Sequence, residues 1–223
     1  MKSFAGVQGA VFQKSPLAAG GIEKMTQETG STTISLVAAL GNPGPQYAFS
    51  RHNIAWQMIA CLSFYEELDW REKFKGEYAI HRFEDEGVFF LKPWTYMNLS
   101  GQSVAALMNY YQLEPEEILV IHDELELDFG VIGFKRGGGL GGHNGLRSTA
   151  ACLGTRDFNR MRLGISRPSH RDITSYVLGP FTDDEEAVLL TYLEEAAKLL
   201  EVCLAEGFDT VEKTYRKKQL IEF

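Results

Sequence analysis

No stretch of this chain stays apolar for the roughly 18 residues that a membrane-spanning helix needs. Cysteine is scarce. Cys61, Cys152 and Cys203 are odd in number, widely separated and set in apolar, helix-like contexts. A disulfide framework is therefore excluded, and the expectation is of reduced, buried thiols in a cytoplasmic protein. None of them sits beside a histidine in a strained turn, so none is a candidate nucleophile. There is no Gly-x-Ser-x-Gly elbow and no P-loop ending in Gly-Lys-Ser/Thr. His52, His81, His122, His143 and His170 are dispersed without metal-ligand spacing, so no metal and no cofactor is expected. Glycines 137–142 formally satisfy the dinucleotide pattern, yet no acidic residue ends a second strand about 20 residues later, where a ribose would be held.

Positive charge is also in deficit: the 223 residues carry a net charge of −8, which taken alone argues against a polyanionic partner. Its distribution argues the other way. Between Gly130 and Arg171 lie Lys135, Arg136, Arg147, Arg156, Arg160, Arg162, Arg167 and Arg171, opposed only by Asp157. From Asp183 to Glu212 the balance reverses, with little more than Lys198 against a long acidic run. Such polarisation can set a positive face within an acidic protein, and the local field governs association with a polyanion.

With 44% hydrophobic and 23% charged residues, the chain has an ordinary globular composition, and its length suits one large domain. Residues 1–31 read as a flexible extension: Gly, Ser, Thr, Ala and Gln dominate, and periodicity is poor. They hold no sustained apolar core of the signal-peptide kind and no arginine, and Met25 is an alternative start. The folded domain is expected over residues 32–223.

That domain opens with an apolar, β-rich run from Thr33 to Leu40, bounded by Gly41-Asn42-Pro43-Gly44. Ile54, Met58, Ile59, Leu62 and Tyr65 form one helical stripe. Tyr78 to Phe83 and Val88 to Leu91 predict an antiparallel hairpin, and Asn98 to Tyr111 a helix. Ile118 to Ile121 exposes no face and reads as a buried strand. Further strands are expected at 131–135 and 161–165, with a helix from about Asn144 between them. A long amphipathic helix over 183–206 and a short basic one over 210–218 complete the chain. Strands alternating with helices predict an α/β fold: one domain with a mixed, mostly parallel central sheet flanked by helices. Ligands of such sheets bind beyond the carboxyl ends of the strands, where Asn42, Asn98 and Asp123 all fall.

The chemistry available there is His, Asp and Asn. His52, at a helix start, has the side chain best suited to accept a proton from water near neutral pH. Asp123, a carboxylate ending an apolar strand, needs a partner, and an acid behind a histidine fixes its tautomer. His122 should point to the opposite face and pack. Asn42, Asn98 and Asn144 could each be a turn or cap residue; beside His52 and Asp123 they read as groups that place a carbonyl and a water. His143 is read as a loop residue rather than a second polar contact. The whole points to hydrolysis by an activated water.

Four segments, in this order and spacing, resemble the bacterial-type peptidyl-tRNA hydrolase family. They are Gly41-Asn42-Pro43-Gly44 with Tyr47 and Arg51-His52-Asn53; Lys92-Pro93 with Tyr96-Met97-Asn98-Leu99-Ser100-Gly101; His122-Asp123-Glu124-Leu125; and Gly137 to Gly145. The resemblance runs from about residue 33 to the C-terminus and leaves the extension outside it. Leu140 departs from it, standing where many relatives carry a polar residue or histidine. The resemblance implies hydrolysis of the ester joining peptide to tRNA, recycling tRNA for translation. His52 would be the general base, Asp123 its support, and Asn42 the sensor of the peptide backbone. Tyr47, Tyr96, Asn98 and Asn144 would meet the tRNA terminus, and Lys135 and Arg136, with Arg160 and Arg162, its phosphates. A monomer is the default expectation, since one compact domain presenting one cleft needs no partner subunit. The alternative is a non-catalytic relative on the same fold, binding RNA in splicing.

Overall fold

The computed structural model describes residues 32–83, 86–169 and 172–223. The expected extension over 1–31 lies outside the described residues, as do Glu84, Asp85, His170 and Arg171.

The first strand, β1 (Leu36–Ala39), is fully buried because both of its faces are covered, which is why it reads as an unbroken apolar run. A turn through Pro45–Tyr47 leads to α1 (Ile54–Ile59), shorter than its apolar stripe. Leu62 and Tyr65, the rest of that stripe, pack on the same core from the connection that follows. The strands β2 (Arg71–Lys73), β3 (Gly76–Phe83) and β4 (Glu86–Pro93) form an antiparallel meander. Then come α2 (Ser100–Tyr111), β5 (Ile118–Glu124), β6 (Val131–Arg136), α3 (Asn144–Leu153) and β7 (Asn159–Gly164). The chain closes with α4 (Ile173–Leu178), α5 (Asp183–Glu206), α6 (Phe208–Thr214) and β8 (Lys218–Gln219).

The eight strands form one mixed sheet in the order β2-β3-β4-β1-β5-β7-β6-β8. Its centre, β4-β1-β5-β7, is parallel, and antiparallel strands extend it on both sides. The parallel centre directs the carboxyl ends of β1, β4 and β5 to one edge. Alternation along the strands then sends side chains to two cores. Val37, Leu119, Ile121, Met161 and Leu163 meet α1, α5 and α6 on one face. Leu36, Ala38, Ile118 and Val120 meet α2 and α3 on the other.

The long helix forms where expected. Thr182 and Glu185 make a capping box at its start, and four acidic residues in the first turn suit its dipole. Tyr192, Leu193, Ala196, Leu199 and Leu200 are buried, and the Tyr192 hydroxyl donates to the carbonyls of Val131 and Gly164. Two expectations are corrected. The basic segment expected as a helix to residue 218 leaves the helix after Thr214, and Lys218 and Gln219 pair with β6, whose edge would otherwise be open. Of the three free thiols only Cys203 is buried; Cys61 is half-buried and Cys152 exposed on α3. Burial pushes the Cys203 thiol up to about 12. Among the described residues, no helix is long and apolar enough to cross a membrane.

Candidate active site

Asp123 sits at the tip of β5, where the two helical layers meet. Its carboxylate Oδ1 lies 2.7 Å from His52 Nδ1, which arrives from the α1 side, and 2.9 Å from His143 Nε2, which arrives from the α3 side. The carboxylate side chain is only 2% exposed, so these contacts stand in for lost water. Burial raises its pKa, but the charges and hydrogen bonds of the two histidines more than offset this and hold it far below the usual carboxylate range.

The backbone determines one tautomer. His143 is the N-cap of α3, and its Nδ1 accepts the N–H groups of Gly145 at 3.1 Å and Leu146 at 3.3 Å. A neutral imidazole that accepts at Nδ1 carries its proton on Nε2, so His143 donates to Asp123. His52 in turn donates from Nδ1, which leaves the lone pair on Nε2. Burial pulls the His52 pKa down, the Asp123 charge and hydrogen bond push it up, and the balance lies above the ordinary histidine value.

Donor atoms of His52, Asp123 and His143 lie within 4.8 Å of one another, a cluster hidden by their separation in sequence. Both imidazoles face the carboxylate through protonated nitrogens, which offer a metal no lone pair. The arrangement is that of a hydrogen-bonded dyad with a second histidine.

His122 points away from this carboxylate, as strand alternation predicts, and its Nδ1 donates to the Asp123 carbonyl at 2.7 Å. Burial and the neighbouring His143 push it well below the ordinary histidine value. It packs edge-on against the His143 ring, 5.1 Å between centroids, and so supports that side chain.

Asn42 follows β1 and is 5% exposed. Its Oδ1 accepts the Met97 N–H at 2.7 Å, which turns its Nδ2 away as a donor. Asn53 clamps the same residue, accepting the Asn42 N–H and donating to its carbonyl, both at 2.9 Å. One network therefore ties the turn that carries Tyr96 and Asn98 to the segment that carries His52. Tyr96 and Asn98 are exposed and Tyr47 half-buried; Asn144, the first residue of α3, is exposed beside Arg147.

Arg51 secures this segment from behind. Its guanidinium pairs with Glu185 at 2.5 Å, donates to the Pro180 carbonyl and lies 4.2 Å over the Tyr176 ring. Removing one partner of such a buried pair costs about 3–5 kcal/mol.

The glycine loop spans the gap between β6 and α3, with positive φ at Gly137, Gly138, Gly141 and Gly142. Gly145 matters for its lack of a side chain instead. A Cβ there would lie 2.5 Å from the Met97 sulfur and 2.8 Å from Leu40 Cδ1, so those side chains would have to shift for α3 to seat as closely against the Asn42 network.

The basic residues divide. Lys135 is half-buried beneath the glycine loop, close to Gly138. Arg160, 2% exposed, is not a surface cation; it donates to the Gly139 carbonyl at 2.7 Å and pins the loop. Arg162 lies 4.0 Å from Glu124 and donates to the Arg216 carbonyl. Arg136 directly precedes Gly137, but its guanidinium turns to other partners. It pairs with Asp209 at 2.7 Å and with Thr32, at a register level four residues back from Asp123.

Three contributors are not apparent from the sequence: His143, expected as a loop residue, together with Asn53 and Arg51. The signal for His143 was its place directly before a helical run, where a side-chain acceptor caps the helix, but histidine is not among the usual capping residues.

Residues 36–222 match the family model described as peptidyl-tRNA hydrolase. The chain is 44% identical over 185 residues to a peptidyl-tRNA hydrolase of Rhodococcus jostii, covering 82% of this chain and 97% of that one. It is 41% identical to the peptidyl-tRNA hydrolase of Desulfitobacterium hafniense, over 82% of this chain and all of its relative. Its fold is similar to the crystal structure of peptidyl-tRNA hydrolase from Acinetobacter baumannii, with a TM-score of 0.74 and 34% identity over 83% of this chain and 96% of that one. With a family model spanning both layers of the sheet, and relatives matched over nearly their whole length, this chain belongs to the peptidyl-tRNA hydrolase family.

Proposed function

We propose that His52 is the general base of this hydrolase, holding a water through Nε2 for attack on the ester that joins peptide to tRNA. The observation that carries the reading is the shared Asp123 oxygen, which accepts hydrogen bonds from His52 Nδ1–H and His143 Nε2–H and so leaves Nε2 of His52 unprotonated. Family membership carries the reaction: the chain hydrolyses peptidyl-tRNA. Water adds to the ester carbonyl as His52 takes its proton. The tetrahedral intermediate then collapses, the bond to the ribose oxygen breaks, and the imidazolium returns the proton to that oxygen. Asp123 stabilises the imidazolium.

Asn42, through its free Nδ2, holds a carbonyl of the peptide backbone. Asn98 and Asn144 hold the water and the developing oxyanion. Tyr47 and Tyr96 meet the tRNA terminus, and Lys135 a phosphate, without reading sequence. Ester cleavage by an activated water needs no covalent nucleophile, no cofactor and no metal. We read the protein as a cytoplasmic monomer. The non-catalytic RNA-binding reading is not favoured by its membership among hydrolases.

Release of N-acetyl-aminoacyl groups from tRNA tests the proposal. Wild type should release them, and His52→Ala should lose turnover while keeping tRNA affinity. Loss of both in equal measure would make His52 a binding residue only.

A further inference from the structure

A cavity of about 540 Å³ opens next to the Asn42 network. Its walls are Pro43, Pro45, Trp56 and Trp94, with the amides of Asn53 and Gln57, and no charged side chain lines it. Trp56 is a rigid wall: its indole donates to the Ala39 carbonyl at 2.9 Å and packs where a Cβ on Gly41 would sit 2.6 Å away. Trp94 is 45% exposed, and its backbone N–H donates to the Lys75 carbonyl at 2.9 Å.

The sheet order places this cavity relative to the basic residues. Pro43 and Pro45 follow β1 and Trp94 follows β4, whereas Lys135 and Arg162 belong to β6 and β7. Four strand spacings separate β4 from β6, roughly 19 Å, and Asp123 on β5 lies between them. Phosphates need cations; Lys73 and Lys75 stand beside Trp94 as well as Lys135 on β6, but none of them lines this cavity. The uncharged cavity on the β4 side fits the other half of the substrate.

We propose that it is an apolar subsite for the peptide, taking a large aliphatic or aromatic side chain just upstream of the ester-linked residue. This rests on the reading of Asn42 as the group that holds the peptide. Continuity supports it. Pro43 directly follows Asn42, and Asn53, which clamps the Asn42 backbone, also lines the cavity. An extended peptide advances about 3.3–3.6 Å per residue, so a chain held at Asn42 reaches these walls within its next residues.

The test compares N-acetyl-Gly, N-acetyl-Leu and N-acetyl-Phe extensions of one aminoacyl-tRNA, with N-acetyl-aminoacyl-tRNA as the short substrate. Wild type should favour Leu and Phe over Gly in kcat/KM by roughly tenfold. Trp94→Ala should abolish that preference and leave the Gly and short substrates unchanged, while Trp94→Phe should retain it. Equal rates for Gly and Phe in wild type, or a preference that survives Trp94→Ala, would overturn the subsite. So would an equal loss on every substrate, which would mean that the indole stacks on a base of the tRNA. Asn42→Ala keeps the two readings apart. If it leaves all rates unchanged, the peptide-holding role falls; if it is impaired while Trp94→Ala shows no substrate dependence, only the subsite falls.

Discussion

Asp123→Asn keeps the shape of the side chain and removes its charge. The amide still offers one oxygen that both imidazoles can share, so the geometry at 2.7 and 2.9 Å survives. What changes is the response to an imidazolium at His52, which forms only as the water is deprotonated. Two unit charges about 4 Å apart interact by about 4 kcal/mol at an effective dielectric constant of about 20. Lost from the transition state alone, that is about a thousandfold in kcat, with KM little changed. The pH profile supplies an independent readout. Burial lowers the His52 pKa and Asp123 raises it above 6.5, so the wild-type rate, which needs the neutral base, should rise with pH through a midpoint above 6.5. Without the charge, burial is opposed only by the hydrogen bond, and the midpoint should move down. Single-turnover release of N-acetyl-aminoacyl groups across the pH range measures both. A fall in kcat under about tenfold, or an unmoved midpoint, would refute the reasoning.

His143→Asn separates capping from catalysis: asparagine still caps α3, so the melting temperature should fall less than in His143→Ala, while loss of the bond to Asp123 should lower kcat by roughly ten- to a hundredfold in both. Lys135→Ala should raise KM and reduce the slope of log KM against log salt by about 0.9, whereas Arg136→Ala should leave that slope unchanged and lower the melting temperature, because Asp209 loses its partner. Gly101→Ala would put a Cβ 2.1 Å from the Ser148 carbonyl at the α2–α3 crossing. It should cost about 1–3 kcal/mol in thermal denaturation, and reduce kcat by displacing Asn98 and Asn144.

The buried strand at Ile118–Ile121, the capped helix over 183–206 and the hairpin were readable because each is local: an apolar run, a Thr-to-Glu capping pair and alternation about a polar turn all lie within a few residues. The last strand was not. Lys218 and Gln219 have no strand signature of their own and pair because β6 offers an open edge. Arg136 and Arg160 look alike in sequence, yet one is tied to Asp209 and the other buried under the glycine loop. A run of cations states the charge of a segment but not the direction in which each side chain leaves its strand.

At the site the same boundary holds. Residue types, with positions after strands for Asn42 and Asp123 and at a helix start for His52, were enough to expect these three side chains together, because a parallel sheet sends the ends of its strands to one edge. Only the folded chain could decide that one carboxylate oxygen serves two histidines, that a helix N-terminus sets the tautomer of the second, and that Asn53 clamps Asn42. Apart from the His143 cap, these bonds join residues 11 to 71 positions apart across two packed layers, and no local pattern encodes a distance through the core.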